Sequence, residues 1–238
     1  MFSTIVIGVD GEQGGRDAIA LARKLAPRGT RLVLATVHGG DEHAHDAGAH
    51  AFLVAERQRS HELLKSARGD AGIDAEIVTF ASSSVGRGLH VAAEHERADL
   101  LVLGVSRHGL AGGETAADDT QAALDGAGCA IAIAPAGYGE HAAAIGTVGV
   151  GYDGSPDGRH ALTIAKLLAA EHDATTVEKH ADTSAAADQL AEFSASVDLL
   201  VVGSRGYGPI GRFFHGSTSK QLAGRAQCPL LILTREPG

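Results

Sequence analysis

Short apolar runs alternate along the chain with longer segments in which apolar residues recur every three or four positions. The runs are typical of buried strands and lie at residues 5–10, 31–37, 75–80, 100–103, 130–134, 148–153, 175–179, 199–202 and 230–233. The longer segments predict helices at 15–25, 51–68, 85–96, 159–171, 184–193 and 218–226. Strands that alternate with helices predict right-handed crossovers and an α/β fold with a parallel sheet.

The chain contains an internal repeat, which decides the architecture. The segment DLLVLG at 99–104 recurs 99 positions later as DLLVVG, and the opening TIVIGVDG at 4–11 recurs 143 positions later as TVGVGYDG. The two offsets differ by 44, so the second copy lacks about 44 residues. The missing part corresponds to residues 31–73, which is one strand-helix unit.

The repeat predicts two domains, residues 1–137 and 145–238, joined by the small, Gly-rich stretch 136–146. The first should contain five strands and the second four. Both copies close on an apolar strand that would leave a sheet edge exposed if each copy stood alone. We therefore expect the copies to pack together as an intramolecular pseudo-dimer.

Composition narrows the function classes. The formal net charge is −9 with no run of Lys or Arg, which argues against nucleic acid as a partner. No stretch approaches the roughly 18 apolar residues that a membrane span needs, so no membrane association is expected. The two cysteines are too few for a secreted disulfide scaffold, and a cytoplasmic location is predicted.

The strongest candidate site follows the predicted strand at 199–202, where the sequence reads GSRGYGPIGRFFHGSTS with the spacing G-x2-G-x9-G-S. Glycines let the backbone approach a ligand, and Ser and Thr at the start of the next helix favour an anion. A glycine-rich turn before an ordinary helix cap would look similar, but the position after a buried strand favours a phosphate site. The candidate residues are Gly203, Arg205, Gly206, Gly216, Ser217, Thr218 and Ser219.

This spacing resembles the ATP-binding signature of the universal stress protein family. The helix RHALTIAKLLA and the closing segments QCPLLILT and GCAIAIAP are also similar to that family, so the resemblance covers nearly the whole chain as a tandem form. It implies two flavodoxin-like, or Rossmann-like, modules, dimerisation partly through the last strand, and a role in stress response. It also implies ATP, alone or with Mg²⁺, whose adenine and ribose would face Asp153, Gly154 and Ser155. Besides the pairing of the two halves, a homodimer of the whole chain is consistent with the resemblance.

Each copy departs from the family pattern in a different part of the expected nucleotide site. The first copy has Ala117-Asp118-Asp119 where the second has Gly216-Ser217-Thr218, and two carboxylates would repel a phosphate. The second keeps the loop but lacks the strand that lines the adenine pocket in the family. We expect the strand at 175–179 to move beside the first strand of its copy, and at most one nucleotide per chain.

Three functions remain open: a non-enzymatic nucleotide-binding protein, which we favour, a slow ATPase or phosphotransferase using His215 with a divalent ion, and an interaction module without nucleotide. No catalytic motif with a paired nucleophile and base is present. The polar loop from His38 to His50 could hold a divalent metal, but it lacks zinc spacing and a solvated loop is the better interpretation. Cys129 and Cys228 are expected as buried thiols, with a bridge across the pseudo-dimer as the alternative.

Overall fold

The structure is a computed structural model that describes residues 1–39, 47–105, 122–123, 128–181, 185–203 and 217–234. The elements of the first half are β1 (Thr4–Gly8), α1 (Gln13–Leu25), β2 (Arg31–His38), α2 (Ala47–Ala71), β3 (Glu76–Ala81), α3 (Val85–His95), β4 (Leu100–Gly104) and β5 (Ala130–Ala134). A 3₁₀ turn at Tyr138–Glu140 follows β5. Those of the second half are β6 (Thr147–Tyr152), α4 (Pro156–Glu171), β7 (Thr175–His180), α5 (Ala186–Phe193), β8 (Leu199–Gly203), α6 (Ser217–Ala223) and β9 (Leu230–Leu233).

The described residues form one nine-stranded sheet in the order β3-β2-β1-β4-β5-β9-β8-β6-β7. Neighbouring strands in this sheet are parallel except β5 and β9, which pair antiparallel with Ile131 opposite Ile232 and Ile133 opposite Leu230. The closing strands of the two copies thus join two parallel modules into one sheet. This arrangement confirms the predicted pseudo-dimer and the α/β, flavodoxin-like class.

Within residues 145–181, 185–203 and 217–234 there are four strands, against five in the first half, as the difference of 44 between the two offsets predicts. By sequence β7 matches β3, yet it lies beside β6 in the place that β2 takes beside β1. Thr147 pairs with Thr175 just as Thr4 pairs with Arg31. The expected movement of this strand into the gap is therefore confirmed.

The sequence of β7 is adapted to the loss of a helix. On the face that α2 covers in the first half, β2 places Leu32 and Leu34. At the matching positions β7 carries Thr176 and Glu178, paired with the apolar Val148 and Val150 of β6. Because no counterpart of α2 covers this face among the described residues, polar side chains here avoid an exposed apolar surface.

Helices cover both faces of the sheet and bury two apolar clusters. On one face α1, α2 and α4 contribute, among others, Leu21, Leu64 and Leu168. On the other, α3, α5 and α6 contribute Leu89, Leu190 and Leu222. Residues of both halves share each cluster, so the core is continuous across the β5–β9 junction.

The connection between the halves is fixed to α1 by a buried carboxylate. Asp17 is 0% exposed. Its Oδ2 accepts from the backbone N–H of Gly137 and its Oδ1 from that of Gly139, both at 2.7 Å. Gln13 Nε2 donates a further bond to Oδ1 at 3.0 Å. The predicted linker is thus bound to the first half by these hydrogen bonds.

Candidate functional site

The candidate site lies in the space beyond the carboxyl ends of β6 and β8, which we call the crevice of the second half. The chain leaves β6 towards β7 on one side and returns to β8 on the other, so the two strands flank a topological switch point, where ligands bind in open α/β sheets. Tyr152 is the last residue of β6, and Gly203 is the last residue of β8. Each follows directly after the last residues paired between the two strands, Gly151 and Val202. The structure therefore brings together the predicted turn at Asp153 and the start of the glycine-rich loop.

The turn after β6 is built by its own three candidate residues. Asp153 Oδ1 accepts from the backbone N–H of Ser155 at 3.0 Å. Gly154 has φ +77°, a conformation that favours glycine. Ser155 caps α4, since its Oγ accepts from the N–H of Gly158 at 3.0 Å. These contacts fix the conformation of the turn, in which Asp153 and Gly154 are exposed.

Gly203 has a packing role that sequence reasoning missed. A Cβ at this position would lie 2.7 Å from the carbonyl oxygen of Asp157, in the first turn of α4. The same contact recurs in the first copy, where a Cβ on Gly104 would lie 1.9 Å from the carbonyl oxygen of Gly14. Glycine is thus required in both copies by the close approach of strand end and helix. The repeat of this glycine at the offset of 99 was the signal available in the sequence.

The remaining loop candidates are only partly described. Thr218 is half-buried and Ser219 is buried in α6, which packs against α5 and β9. The backbone of Ser217 begins this helix. The other candidates, namely Arg205, Gly206 and Gly216, lie outside the described residues, as do the side chain of Ser217, the first-copy residues Asp118 and Asp119, and His215.

The first copy has the matching switch point beyond the carboxyl ends of β1 and β4. Asp10 Oδ1 accepts from the N–H groups of Glu12 at 2.8 Å and Gly15 at 2.9 Å, and Gly11 has φ +80°. The two turns differ in what covers them. A Cβ on Gly11 would meet Leu63 of α2 at 2.8 Å, whereas one on Gly154 meets nothing within 4 Å. Loss of the strand-helix unit therefore leaves the second turn more open.

An aromatic pair stands beside the second turn and was not predicted. The rings of Tyr152 and His180, at the ends of β6 and β7, meet edge to face with centroids 5.1 Å apart. In the first copy Val9 takes the place of Tyr152, near Leu63 of α2. The larger rings occupy the side of the sheet where the second copy has no α2 counterpart among its described residues.

In each copy one aspartate, just before β4 or β8, ties the amino end of that strand to the amino end of the first strand of the copy. Asp99 Oδ2 accepts from the N–H groups of Ser3 and Thr4, and Asp198 Oδ2 from those of Gly146 and Thr147. Burial raises the pKa of Asp99, but bonds from Ser3 and Thr4 outweigh it, so the pKa lies below its usual value. The repeated Asp of DLLV is thus structural.

The two cysteines are free and buried, as expected, but the alternative of a bridge between them is wrong. The antiparallel register places Cys228 level with Pro135, six residues along β5 from Cys129. At about 3.3 Å per residue this separates them by about 20 Å, whereas a disulfide needs Cα atoms within about 7 Å. Burial raises the pKa of each thiol to about 12.

The described part of the chain contains no cluster of three or more His, Cys, Asp or Glu side chains suited to a metal ion. His38 is described and buried, with Nδ1 3.3 Å from the carbonyl oxygen of Gly39. The rest of the His38–His50 loop, at 40–46 and in the side chains of 47–50, lies outside the description. None of the described helices is long and apolar enough to span a membrane.

Comparison with known proteins identifies the family. The sequence model of the universal stress protein family matches residues 1–132 and 174–234, so the chain belongs to this family. A sequence search of curated proteins gave no match. A universal stress protein from Archaeoglobus fulgidus is similar in structure, with TM-score 0.66 and 15% identity over 98% of this chain and 96% of that chain. A functionally unknown protein from Pseudomonas aeruginosa PAO1 gives TM-score 0.63 and 14% identity over 99% and 93%. At these identities the likeness shows the fold.

Proposed function

We propose that the chain is a non-enzymatic stress-response protein that binds one adenine nucleotide, ATP, in the crevice of its second half. The observation that carries the proposal is the convergence of the Asp153 turn and Gly203 at a switch point, in the copy that keeps the G-x2-G-x9-G-S spacing. Membership in the universal stress protein family supports it. Bound nucleotide would stabilise one conformation or one interface of a cytoplasmic protein, as a single chain or a homodimer.

The described residues fit such a ligand. The exposed Asp153 carboxylate is an acceptor for the amino group of adenine or for ribose hydroxyls. There is open space beside Gly154 in the turn after β6, because nothing lies within 4 Å of a Cβ placed there. The phosphates would contact the loop from Gly203 to Gly216 and the hydroxyls of Ser217, Thr218 and Ser219, with Arg205 as a cation. Mg²⁺ would arrive with the phosphates.

Mass spectrometry of ligand released from the purified, denatured full chain tests this function. We expect at most one adenine nucleotide per chain, either co-purified with the protein or bound after the purified protein is incubated with ATP. Absence of nucleotide under both conditions would contradict the proposal and favour an interaction module. Phosphate release from ATP that stops on His215→Ala would instead show an ATPase or phosphotransferase.

A further inference from the structure

A concave site lies in the first half, the copy that does not hold the proposed nucleotide site, and extends from the Gly11 turn along α1 to Arg23. It is a cavity of about 740 Å³ lined by α1, α2 and the 3₁₀ turn of the linker. This volume falls in the range of about 300–1,000 Å³ that is usual for small-molecule sites. Its apolar lining comes from Ile19 and Ala20 of α1 and from Leu63 and Ala67 of α2. We call this cavity the α1 groove.

Two guanidinium groups border the apolar part of the α1 groove. Arg16 and Arg23 are two helical turns apart on α1, about 10 Å along the axis. Arg16 donates to the side chain of Gln13 at 2.8 and 3.0 Å, and Arg23 reaches the carbonyl oxygen of Ala71 only at 3.5 Å. Neither forms an ion pair with another described residue. The Nε–Nη2 fork of Arg16 is therefore occupied by Gln13, whereas the guanidinium of Arg23 is available to an anionic group.

Three carboxylates at the rim limit how much negative charge the α1 groove accepts. Glu12, Asp70 and Glu140 line it together with the two arginines, so its lining carries a formal charge of −1. A polyphosphate would be repelled by these three carboxylates, whereas a single anionic group can bind the guanidinium of Arg23. We propose that the α1 groove binds an organic monoanion, a carboxylate or sulfonate, whose apolar body lies against Ile19, Ala20 and Ala67.

The second copy provides an internal control for this proposal. At the offset of 143, α4 carries Thr163 in place of Ala20 and Lys166 in place of Arg23. In the part of the chain that the structure describes, no counterpart of α2 stands beside α4. The second copy therefore has a cation, Lys166, at the position of Arg23 but no helix that encloses a groove beside it. Variants of the two copies can separate the effect of the positive charge on binding from the effect of the cavity.

The test is a fluorescence titration of the full chain with 1-anilinonaphthalene-8-sulfonate, an aromatic monoanion. We expect saturable binding of one probe per chain that ATP does not displace. Ala20→Trp, which places a ring in the α1 groove, should abolish this binding, and Thr163→Trp should leave it unchanged. Arg23→Gln should weaken affinity about three- to tenfold, since it removes an exposed charge-assisted hydrogen bond.

A matched variant in the second copy shows whether the probe binds in the α1 groove or is attracted by positive charge anywhere on the surface. Lys166→Gln removes the same charge from α4 and should leave probe affinity unchanged. Equal weakening by Lys166→Gln and Arg23→Gln, probe binding that survives Ala20→Trp, no saturable binding at all, or displacement of the probe by ATP would each overturn the proposal. Circular dichroism melting of each variant establishes that a lost signal does not reflect unfolding.

Discussion

Replacing Asp17 by Asn should release the linker from the first half. The carboxylate is buried, and its two oxygens accept the N–H groups of Gly137 and Gly139. An amide offers one oxygen, so one of these N–H groups would face an NH₂ group and lose its acceptor. Loss of a charge-assisted bond together with a buried, unsatisfied donor costs about 2–4 kcal/mol of unfolding free energy.

Thermal and urea melts of the full chain measure this loss. For a chain of this size the expected decrease corresponds to roughly 4–16 °C in melting temperature. Asp70→Asn, an exposed change in the same half, should stay within about 0.5 kcal/mol. Hydrogen exchange should show the Gly137 and Gly139 amides losing protection in Asp17→Asn. A variant that melts like the parent, with both amides still protected, would refute the role given to Asp17.

Three further predictions concern the junction and the buried groups. Residues 1–137 and 145–238, expressed separately, should associate or aggregate, because β5 and β9 would each expose an edge; two stable, monodisperse monomers on size exclusion would contradict this. Asp99→Asn should lower stability modestly at pH 7. Since the folded-state pKa of Asp99 is lowered, its contribution is present above the unfolded pKa and disappears as pH falls through the folded pKa. In urea melts at a series of pH values below 7, the difference between parent and variant should therefore shrink as pH falls through the folded-state pKa of Asp99, and a difference that stays constant with pH would contradict this. Cys129 and Cys228, with pKa values raised to about 12, should resist alkylation at pH 8 until the chain unfolds; rapid labelling of the native protein would be inconsistent with their burial.

Much of the fold could be predicted because the strands are short apolar runs and the repeat gives their order. The strand positions agree with the structure to within a residue or two, since buried parallel strands leave a continuous apolar signal. β7 was predictable in a different way. Its Thr176 and Glu178 show that one face is uncovered, which fits a strand that lost its covering helix.

Features that depend on contacts distant in sequence could not be predicted. The bonds from Gly137 and Gly139 to Asp17 join residues about 120 positions apart, and no local pattern marks them. The buried thiols were predicted correctly, and the wrong alternative of a bridge between them has a similar origin. Equivalent positions in two copies suggested proximity, but antiparallel pairing of the closing strands sends equivalent residues to opposite ends of the junction.

The place of the candidate residues in the fold was predictable, but not every contact that they make. The switch point between β6 and β8 follows from the strand order, and the Asp153 turn lies there as expected. The need for glycine at 203 comes from the carbonyl oxygen of Asp157, a protein contact that spacing alone does not reveal. That contact leaves the proposed phosphate role of Gly203 to be tested by binding.

Calorimetric titration of the full chain with ATP tests the central proposal most directly, using the parent, Ser217→Asp and Asp118→Ala. We predict at most one nucleotide site per chain. Ser217→Asp should weaken binding at least about tenfold, because it removes a charge-assisted hydrogen bond and adds repulsion. Asp118→Ala should bind like the parent, since the first-copy loop already carries the defect. Two sites per chain, or Ser217→Asp binding as tightly as the parent, would contradict the proposed placement of the nucleotide.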